Sequence, residues 1–332
     1  MRIAIDAMGG DFAPEKIVAG AVLAADSLPG IDSLVLVGDE DAIRRELQKV
    51  RHLPASVEIC HASEVVGMDE APALAIRRKK DSSISRAMDL VKEGKAEAMI
   101  SAGNTGAVVV AATLKLRTLQ GVDRPAIAAV MPSPAKPFVL IDAGANTDCP
   151  PRLLAQFAAM GHVYSRKILG QANPLIGLMS VGAENTKGND ATKEAFRSLS
   201  ESKLNFKGNI EGNDLFKGEI DVVVCDGFVG NVILKTSEGL AHAVSVWIKK
   251  EVTQNPIRLL GAVFLMGALR AMKRQIDSET YGGVPLLGVN GVCIICHGSS
   301  SARAIVHAIR AARDAVKFQI NDLIVSAVGG VS

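Results

Sequence analysis

The chain has 332 residues, of which 48% are apolar and 4% aromatic, and its formal net charge is +2. This length can build one large domain or two modest ones around a hydrophobic core, and a charge so close to zero predicts no nucleic-acid partner. Five cysteines, an odd number, and the carboxylate of Asp6 early in the first apolar run predict a cytoplasmic protein with reduced thiols and no secretory leader. Because no run of about 18 uncharged apolar residues occurs, we expect no membrane-spanning helix.

Short β-rich segments recur at intervals that leave room for a helix between them. Several lack polar alternation, which is typical of strands buried on both faces of a parallel sheet. Helical patterns cover residues 14–27, 39–51 and 151–169. The alternation predicts one doubly wound α/β domain over residues 1–332, with a mostly parallel sheet. The predicted strands are residues 3–6, 34–38, 57–60, 98–101, 127–131, 138–142, 176–181, 221–226 and 292–296.

Residues 231–278 interrupt this alternation, because no strand pattern occurs there. The segment has the pattern of two long helices with a break near Asn255 and Pro256, since the residue before a proline disfavours helix. We therefore predict a helical hairpin that protrudes from the α/β body.

Six of the predicted strands lead into loops of small, polar and acidic residues, among which Lys187 is the one cation. Ligands of doubly wound sheets bind outside the carboxyl ends of the strands, so we expect these loops to share one edge of the sheet. Glycine lets the backbone approach a ligand, and the following helix offers unpaired N–H groups. Together the loops predict an anion site of phosphate size, although each alone has the composition of an ordinary turn. The loops are DAMGGD (6–11), SAGNTG (101–106), DAGAN (142–146), GAENTKGN (182–189), DGFVGN (226–231) and HGSSS (297–301).

Several common catalytic fingerprints are missing from the sequence. No two glycines are spaced i, i+2, which excludes the G-x-G-x-x-G fingerprint of dinucleotide binding. The phosphate-binding loop G-x-x-x-x-G-K-[ST], the hydrolase motif G-x-S-x-G and the zinc motif H-E-x-x-H are absent as well.

The segment CIICH at residues 293–297 matches the c-type haem motif C-x-x-C-H. It lies in an apolar run that predicts a strand, where residues three apart point to opposite faces. Cys293 and Cys296 are therefore expected to fill the core rather than to hold a haem or a metal. His297 follows the strand and is either a turn residue or a substrate contact.

The ordered set of loop motifs resembles the PlsX family, the acyl-[acyl carrier protein]:phosphate acyltransferases of bacterial phospholipid synthesis. R124-P-A and Y281-G-G belong to the same set, and the resemblance covers essentially the whole chain. It implies a three-layer α/β/α fold similar to isocitrate and isopropylmalate dehydrogenases, kinship with phosphate acetyltransferases, a homodimer, and no metal or organic cofactor. It also implies the reaction of an acyl carrier protein thioester with inorganic phosphate, which gives acyl phosphate and the free carrier thiol.

Such a reaction needs groups that hold phosphate and the thioester oxygen more than it needs a strong base, because a thiolate leaves with modest help. Lys187 is the candidate that anchors phosphate or polarises the thioester oxygen. We expect Asp6, Asp11 and Asp226 to orient Lys187, to cap helices or to accept a proton from phosphate. For Asp6 and Asp11 a structural role is favoured. The other candidates are the amide donors Asn185 and Asn231, the rim residues His297 and Ser299, and the cradle residues Gly9, Gly10, Ser101, Gly103, Asn104, Thr105, Gly106 and Asn146.

Two alternatives to the transferase remain at this point. One is a non-catalytic module that binds an anion or nucleotide, and the other is a metal-dependent decarboxylating dehydrogenase of similar fold. As partners of a transferase we expect acyl carrier protein, docked on the basic residues 77–80 or 249–274, and a membrane glycerol-phosphate acyltransferase that takes the product. The apolar stretch 259–266 predicts peripheral contact with a membrane surface, with packing in the dimer as the alternative.

Overall fold

The computed structural model describes residues 1–276 and 282–331 of the chain, without the side chains of Val263, Leu269, Arg270 and residues 273–276. Tyr281 of the sequence motif and the last two residues of the predicted hairpin lie outside the described residues.

The described part of the chain contains eleven strands, which form one sheet in the order β3-β2-β1-β4-β11-β10-β5-β6-β9-β7-β8. Most strands carry unbroken apolar runs, because helices cover both faces of the sheet. The strands are β1 Arg2–Asp6, β2 Ser33–Gly38, β3 Val57–His61, β4 Ala98–Ser101, β5 Ala126–Met131, β6 Phe138–Ile141, β7 Ile176–Met179, β8 Phe206–Ile210, β9 Val222–Val224, β10 Val284–Leu287 and β11 Val292–Ile295.

Three antiparallel pairings in the middle of the sheet reverse its direction. β11 with β10, β10 with β5, and β5 with β6 are antiparallel, whereas the other neighbouring strands are parallel. After three reversals, β6, β9, β7 and β8 run opposite to β3, β2, β1, β4 and β11. The expectation that all six polar loops share one edge is therefore wrong. The loops form two sets of three, one after β1, β4 and β11 and the other after β6, β9 and β7.

Helices cover both faces of the sheet and give three α/β/α layers. Ala4 of β1 packs with α4 and α5 on one face, and Ile3 and Ile5 pack with α1 and α10 on the other, since alternate strand residues point to opposite faces. In β6, Leu140 lies on the side of α5 and Val139 on the side of α6 and α11. The helices are α1 Glu15–Ser27, α2 Glu40–Leu47, α3 Pro72–Arg78, α4 Ser83–Lys92, α5 Thr105–Lys115, α6 Pro151–Ile168, α7 Asp190–Glu201, α8 Gly227–Thr253, α9 Pro256–Ile276, α10 Ala302–Lys317 and α11 Ile320–Val328, with a short 3-10 turn at Gly212–Asp214.

The predicted doubly wound α/β fold is confirmed, but two strands were not predicted. β8 has the sequence FKGNI and β10 the sequence VPLL, and Lys, Gly, Asn and Pro are all unfavourable in strands. In the hairpin segment, α8 begins at Gly227, four residues before the predicted start, and the break falls between Thr253 and Pro256.

Candidate functional site

The first loop set, which follows β1, β4 and β11, is built around Asp6. Its carboxylate is fully buried and accepts hydrogen bonds from Ser101 Oγ at 2.6 Å and from the Met8 N–H at 3.1 Å. Ser101 Oγ in turn accepts the Gly103 N–H at 3.0 Å. Burial raises the pKa of Asp6, and hydrogen bonds from Ser101 and Ser83 oppose that rise. Ser101 and Gly103, which were predicted to cradle phosphate, use these groups to hold the loop together.

Gly9 and Gly10 bring the first loop against its two neighbours. A Cβ at Gly9 would lie 2.6 Å from the Gly103 nitrogen, and one at Gly10 would lie 2.9 Å from the Gly298 carbonyl oxygen. The Asp11 N–H donates to the same Gly298 oxygen at 2.8 Å. The three loops therefore pack so closely that side chains at these two positions would separate them.

His297 and Ser299 form a small turn at the exposed rim of the first loop set. The His297 Nδ1 accepts the Ser299 N–H at 3.2 Å and lies 2.8 Å from Ser299 Oγ. Because Nδ1 accepts a backbone N–H, the neutral ring carries its proton on Nε2. His297 thus stabilises the turn with one nitrogen and leaves the other for a ligand.

Asn104 caps helix α5 and connects it to the preceding segment. Its Oδ1 accepts the Ala107 N–H at 3.0 Å, and its Nδ2 donates to the carbonyl oxygens of Met68 and Glu70 at 2.9 and 3.0 Å. The side chain is therefore fully used as a helix cap and a clamp. Thr105, the first residue of the helix, is exposed.

The second loop set is organised by Asp142, which is buried at the end of β6. Its carboxylate accepts the backbone N–H groups of Ile127 at 2.9 Å, Gly144 at 3.1 Å, Ala145 at 3.0 Å and Asn146 at 2.7 Å, and the Asn146 side chain at 2.9 Å. Burial raises the pKa of Asp142, and these hydrogen bonds counteract the rise. One carboxylate therefore fixes the shape of the loop and attaches it to β5. Sequence reasoning placed this loop at the site but did not identify Asp142 as its organiser.

Helix α8 begins directly on top of this loop. Asp226 caps the helix by accepting an N–H of its first turn at 2.8 Å, and the Gly227 N–H donates to the Asn146 carbonyl oxygen at 2.6 Å. A Cβ at Gly230 would overlap the Asp142 carbonyl oxygen. The predicted site residues Asp226 and Asn146 thus hold the helix start and the loop together.

A cavity of about 310 Å³ lies where the first turn of α5 meets the second loop set and the first turn of α8. Three of the predicted site residues line it, namely Thr105, Gly106 and Asn231. Ile127, Ala143, Gly144, Thr147 and Phe228 complete its lining together with Gly227. Of these, Ala143, Gly144, Gly227 and Phe228 lie in the predicted polar loops and Thr147 directly follows one, whereas nothing in the sequence pattern singles out Ile127.

The first turns of two helices contribute partial positive charge to this cavity, and the carboxylate of Asp226, which caps α8, offsets part of it. N–H groups of a first helical turn have no partner within the helix, and the aligned peptide dipoles place about half a positive charge at that end. The described lining contains no charged side chain that would compete with a bound anion. Asn231 adds a side-chain amide beside Gly144. A Cβ built on Gly144 would lie 3.5 Å from the Cβ of Asn231. The cavity is therefore suited to an oxyanion such as phosphate.

Lys187 and Asn185 lie apart from this lining, as exposed residues of the segment 182–189 after β7. β9 separates β7 from β6 and runs parallel to both, so the segment belongs to the same set as the loops at Asp142 and Asp226. Within the described part of the chain, the Lys187 ammonium has no ion-pair partner.

Cys293 and Cys296 are buried on opposite faces of the sheet, as their spacing in a strand predicts. Among the residues that the structure describes, no three His, Cys, Asp or Glu side chains are grouped so that they could hold a metal ion. None of the described helices combines the length and apolarity that crossing a bilayer requires.

Solved structures share this fold at low sequence identity. A phosphotransacetylase from Streptococcus pyogenes superposes with a TM-score of 0.64 at 19% identity and covers 96% of this chain and 94% of its own. The EutD phosphotransacetylase from Staphylococcus aureus superposes with a TM-score of 0.60 at 16% identity. The match covers 99% of this chain and 94% of that structure. A putative 4-hydroxythreonine-4-phosphate dehydrogenase from Salmonella typhimurium superposes with a TM-score of 0.53 at 15% identity. The match covers 94% of this chain and 98% of that structure. At these identities the likeness concerns the fold alone.

Sequence relatives are much more similar. The phosphate acyltransferase of Pelotomaculum thermopropionicum is 50% identical over 331 residues, which are 100% of this chain and 96% of the relative. The phosphate acyltransferase of Pelobacter propionicus is 51% identical over 314 residues, which are 95% of this chain and 90% of the relative. The profile of the family described as fatty acid synthesis protein matches residues 1–323. The chain therefore belongs to this fatty acid synthesis protein family of phosphate acyltransferases, the PlsX family that its loop motifs resemble.

Proposed function

We propose that this chain transfers an acyl group from a thioester of acyl carrier protein to inorganic phosphate, and that phosphate binds in the cavity between α5 and α8. The observation that carries the proposal is the convergence of two helix N-termini on a cavity whose described lining has no acidic side chain. The names of its relatives support the same reaction, since they are phosphate acyltransferases.

The reaction joins one phosphate oxygen to the thioester carbonyl carbon and breaks the bond from that carbon to sulfur. Monohydrogen phosphate gives up its proton, which ends on the departing carrier thiolate, so that acyl phosphate and free thiol are the products. The site must hold phosphate at attacking distance from the carbonyl and stabilise the oxygen on which negative charge develops.

We assign the first task to the starts of α5 and α8 and the second to amide and ammonium donors. The N–H groups of Thr105 and Gly106, which have no hydrogen-bond partner among the described residues, bind phosphate, while the Asn231 amide reaches it from α8. Lys187, exposed and without an ion-pair partner in the described residues, swings over the cavity when both substrates are bound. Asn185, on the same segment, moves over the cavity together with Lys187.

The remaining predicted residues do not line the cavity, and most of them hold the surrounding loops and helix starts in place. Asp142, Asn146 and Asp226 fix the loop and the start of α8, and Asn104 fixes the start of α5. His297 and Ser299 lie at the rim of the first loop set, and the His297 Nε2 has no hydrogen-bond partner among the described residues. Gly9, Gly10, Ser101 and Gly103 build the wall behind α5.

The basic residues 77–80 are the better placed of the two candidate docking surfaces for an acidic carrier protein. Helix α3 starts at Pro72, whose ring lies 2.6 Å from where a Cβ of Gly106 would be. Its seven residues span about 10 Å and end at Arg77 and Arg78, both exposed. A carrier bound there would deliver its thioester near the mouth of the cavity.

The second basic segment, residues 249–274, offers less free charge among its described side chains. Arg258 is paired with Glu251 at 2.7 Å, and the side chains of Arg270, Lys273 and Arg274 lie outside the described residues. We therefore assign this segment to a membrane surface rather than to the carrier.

The start of α9 is the proposed membrane contact. Ile257, Leu260 and Phe264 are 80%, 63% and 84% exposed, a cluster of large apolar side chains that water would not favour. Arg258 lies among them but is paired with Glu251, so the apolar side chains carry the proposed contact. Such peripheral contact would let acyl phosphate pass to a membrane glycerol-phosphate acyltransferase for the synthesis of phosphatidic acid.

Flotation with vesicles that contain phosphatidylglycerol tests the membrane contact. The wild type is expected to float, and Leu260→Glu/Phe264→Glu to stay in solution. A control with the same charge change on other helices, Leu23→Glu/Leu114→Glu, should float like the wild type. Equal flotation of all three proteins would exclude α9 as the contact.

We propose that a second copy of the chain covers helix α8. Leu240, Val244 and Trp247 are 58%, 39% and 61% exposed and share one helical stripe. Because Trp247 is the single tryptophan of the chain, its emission reports burial in the homodimer. The emission should shift to longer wavelength on dilution, in step with dissociation measured by sedimentation; no shift would place the interface elsewhere.

The acyl transfer itself is tested by incubating the pure protein with acyl carrier thioester and phosphate and trapping the product with hydroxylamine. Hydroxamate is expected only when both phosphate and protein are present. Binding of phosphate without hydroxamate would favour the non-catalytic anion module, and metal-dependent oxidation of a substrate in place of hydroxamate formation would favour the dehydrogenase.

A further inference from the structure

A second cavity, of about 230 Å³, lies between the last turns of α6 and the middle of α11. Both helices pack on the sheet face of Val139, whereas α5 and the first cavity belong to the face of Leu140. The second cavity is therefore separate from the site of acyl transfer. Its lining consists of His162, Val163, Arg166 and Lys167 from α6 and of Leu323, Ser326 and Ala327 from α11.

Two cations stand at this cavity without a counter-charge. Arg166 and Lys167 are exposed, and in residues 1–276 and 282–331 neither forms an ion pair. Basic residues in a last helical turn offset the negative end of the helix dipole. Two of them in succession beside a cavity also provide a site for an anion, which Arg binds through two parallel hydrogen bonds.

His162 adds a buried polar atom to the same cavity. Its Nδ1 is shielded from solvent and lacks a hydrogen-bond partner among the described residues. A buried nitrogen of this kind is costly unless something pairs with it. Burial and the nearby Arg166 lower the pKa of His162, so the ring is neutral and can donate one N–H to a ligand oxygen.

Apart from Ser326, the rest of the lining is apolar and defines the other end of the ligand. Val163, Leu323 and Ala327 present methyl groups beside the polar residues. A simple inorganic anion would leave these groups in water, whereas a short hydrocarbon chain would cover them.

We propose that this cavity binds an amphiphilic anion, with its head group on Arg166, Lys167 and His162 and its apolar chain against Val163, Leu323 and Ala327. The head group is a carboxylate or a phosphate, the chemistry of a fatty acid or of an acyl phosphate. The proposal does not depend on the proposed acyl transfer, because the cavity lies on the opposite face of the sheet.

Binding is tested on the full-length protein by calorimetry with octanoate, octyl phosphate, inorganic phosphate and octanol as probes. Octanoate or octyl phosphate should bind saturably, and whichever binds more tightly identifies the head group. Arg166→Gln/Lys167→Gln should weaken that binding by about tenfold or more, and Ala327→Phe should abolish it by filling the cavity. The control Arg44→Gln/Arg45→Gln on α2 removes the same charge elsewhere and should bind like the wild type.

The imidazole resonance of His162, identified by its loss in His162→Gln, gives a readout at the site. It should shift on addition of the amphiphile in the wild type and not in Ala327→Phe. Binding that survives both cavity variants, or that requires no apolar chain, would overturn the proposal, as would the absence of saturable binding.

Discussion

Gly230 in the first turn of α8 lies directly against the main-chain carbonyl oxygen of Asp142, so closely that a Cβ on residue 230 would overlap this oxygen. The contact sets the distance between α8 and the loop that Asp142 organises. Because Asn231 is the next residue, the same contact places its amide at the cavity.

Gly230→Ala is therefore expected to be destabilising, although alanine ordinarily favours a helix. Overpacking of this kind costs about 1–3 kcal/mol of the free energy of unfolding and displaces Asn231. Gly239→Ala in the same helix is a matched control, since no atom lies within 4 Å of its Cβ, and it should stabilise by about 0.5–1 kcal/mol. Urea unfolding of both variants measures the difference. Equal stability changes would show that the contact with Asp142 is not tight.

Asp6 should make the stability of the protein depend on pH. Burial raises its pKa above the ordinary value of 3.8, so the folded state keeps the proton to higher pH than the unfolded state does. Rising pH above 3.8 therefore favours unfolding through this group. Relative to Asp6→Asn, the wild type should lose free energy of unfolding as the pH rises above 3.8. Urea unfolding over this range checks the sign; a difference that grows in favour of the wild type would contradict it.

Lys187→Ala should affect activity without affecting stability. The side chain is exposed and unpaired in the described residues, so the free energy of unfolding should change by less than about 0.5 kcal/mol. Loss of a donor to phosphate or to the thioester oxygen should lower kcat/KM by about 10² to 10³. Lys187→Arg should recover part of the rate, and Lys203→Ala, another exposed lysine, should behave like the wild type. Near wild-type turnover with unchanged phosphate affinity would remove Lys187 from the mechanism.

The KM for the acyl carrier should respond to salt and to charge at the end of α3. An electrostatic complex weakens as the Debye length falls below about 10 Å. Arg77→Gln/Arg78→Gln should raise the KM for the carrier and flatten its dependence on salt. Lys249→Gln/Lys250→Gln removes the same charge from the other basic segment and should leave both unchanged. If the second pair has the larger effect, the carrier docks on the hairpin.

Much of this architecture could be predicted because buried parallel strands have a strong apolar signature. The antiparallel insertion escaped prediction, since β10 contains Pro285 and its pairing depends on distant strands. The two antiparallel pairings of β10 cancel each other, so the loops at Asp6 and Asp142 lie at opposite edges because β5 and β6 pair antiparallel, a reversal that the apolar pattern of these two strands does not show.

The roles of individual loop residues were harder to predict than the loops themselves. Composition identified the Asp142 loop as polar, but a sequence does not show that five donor groups converge on one carboxylate. Nor does it show that Ile127 and Phe228 reach the cavity, because those contacts arise from the crossing of α5 and α8 over the sheet.

The phosphate dependence of acyl transfer in Asn231→Asp tests the central claim most directly. The substitution keeps the size of the side chain and adds a negative charge to a cavity proposed to bind phosphate. At saturating acyl carrier, the KM for phosphate measured by hydroxamate trapping should rise by about 10² or more, with the KM for the carrier unchanged. Asn173→Asp, the same change on an exposed loop, should have no effect. A phosphate KM in Asn231→Asp equal to that of the wild type would mean that phosphate does not bind between α5 and α8.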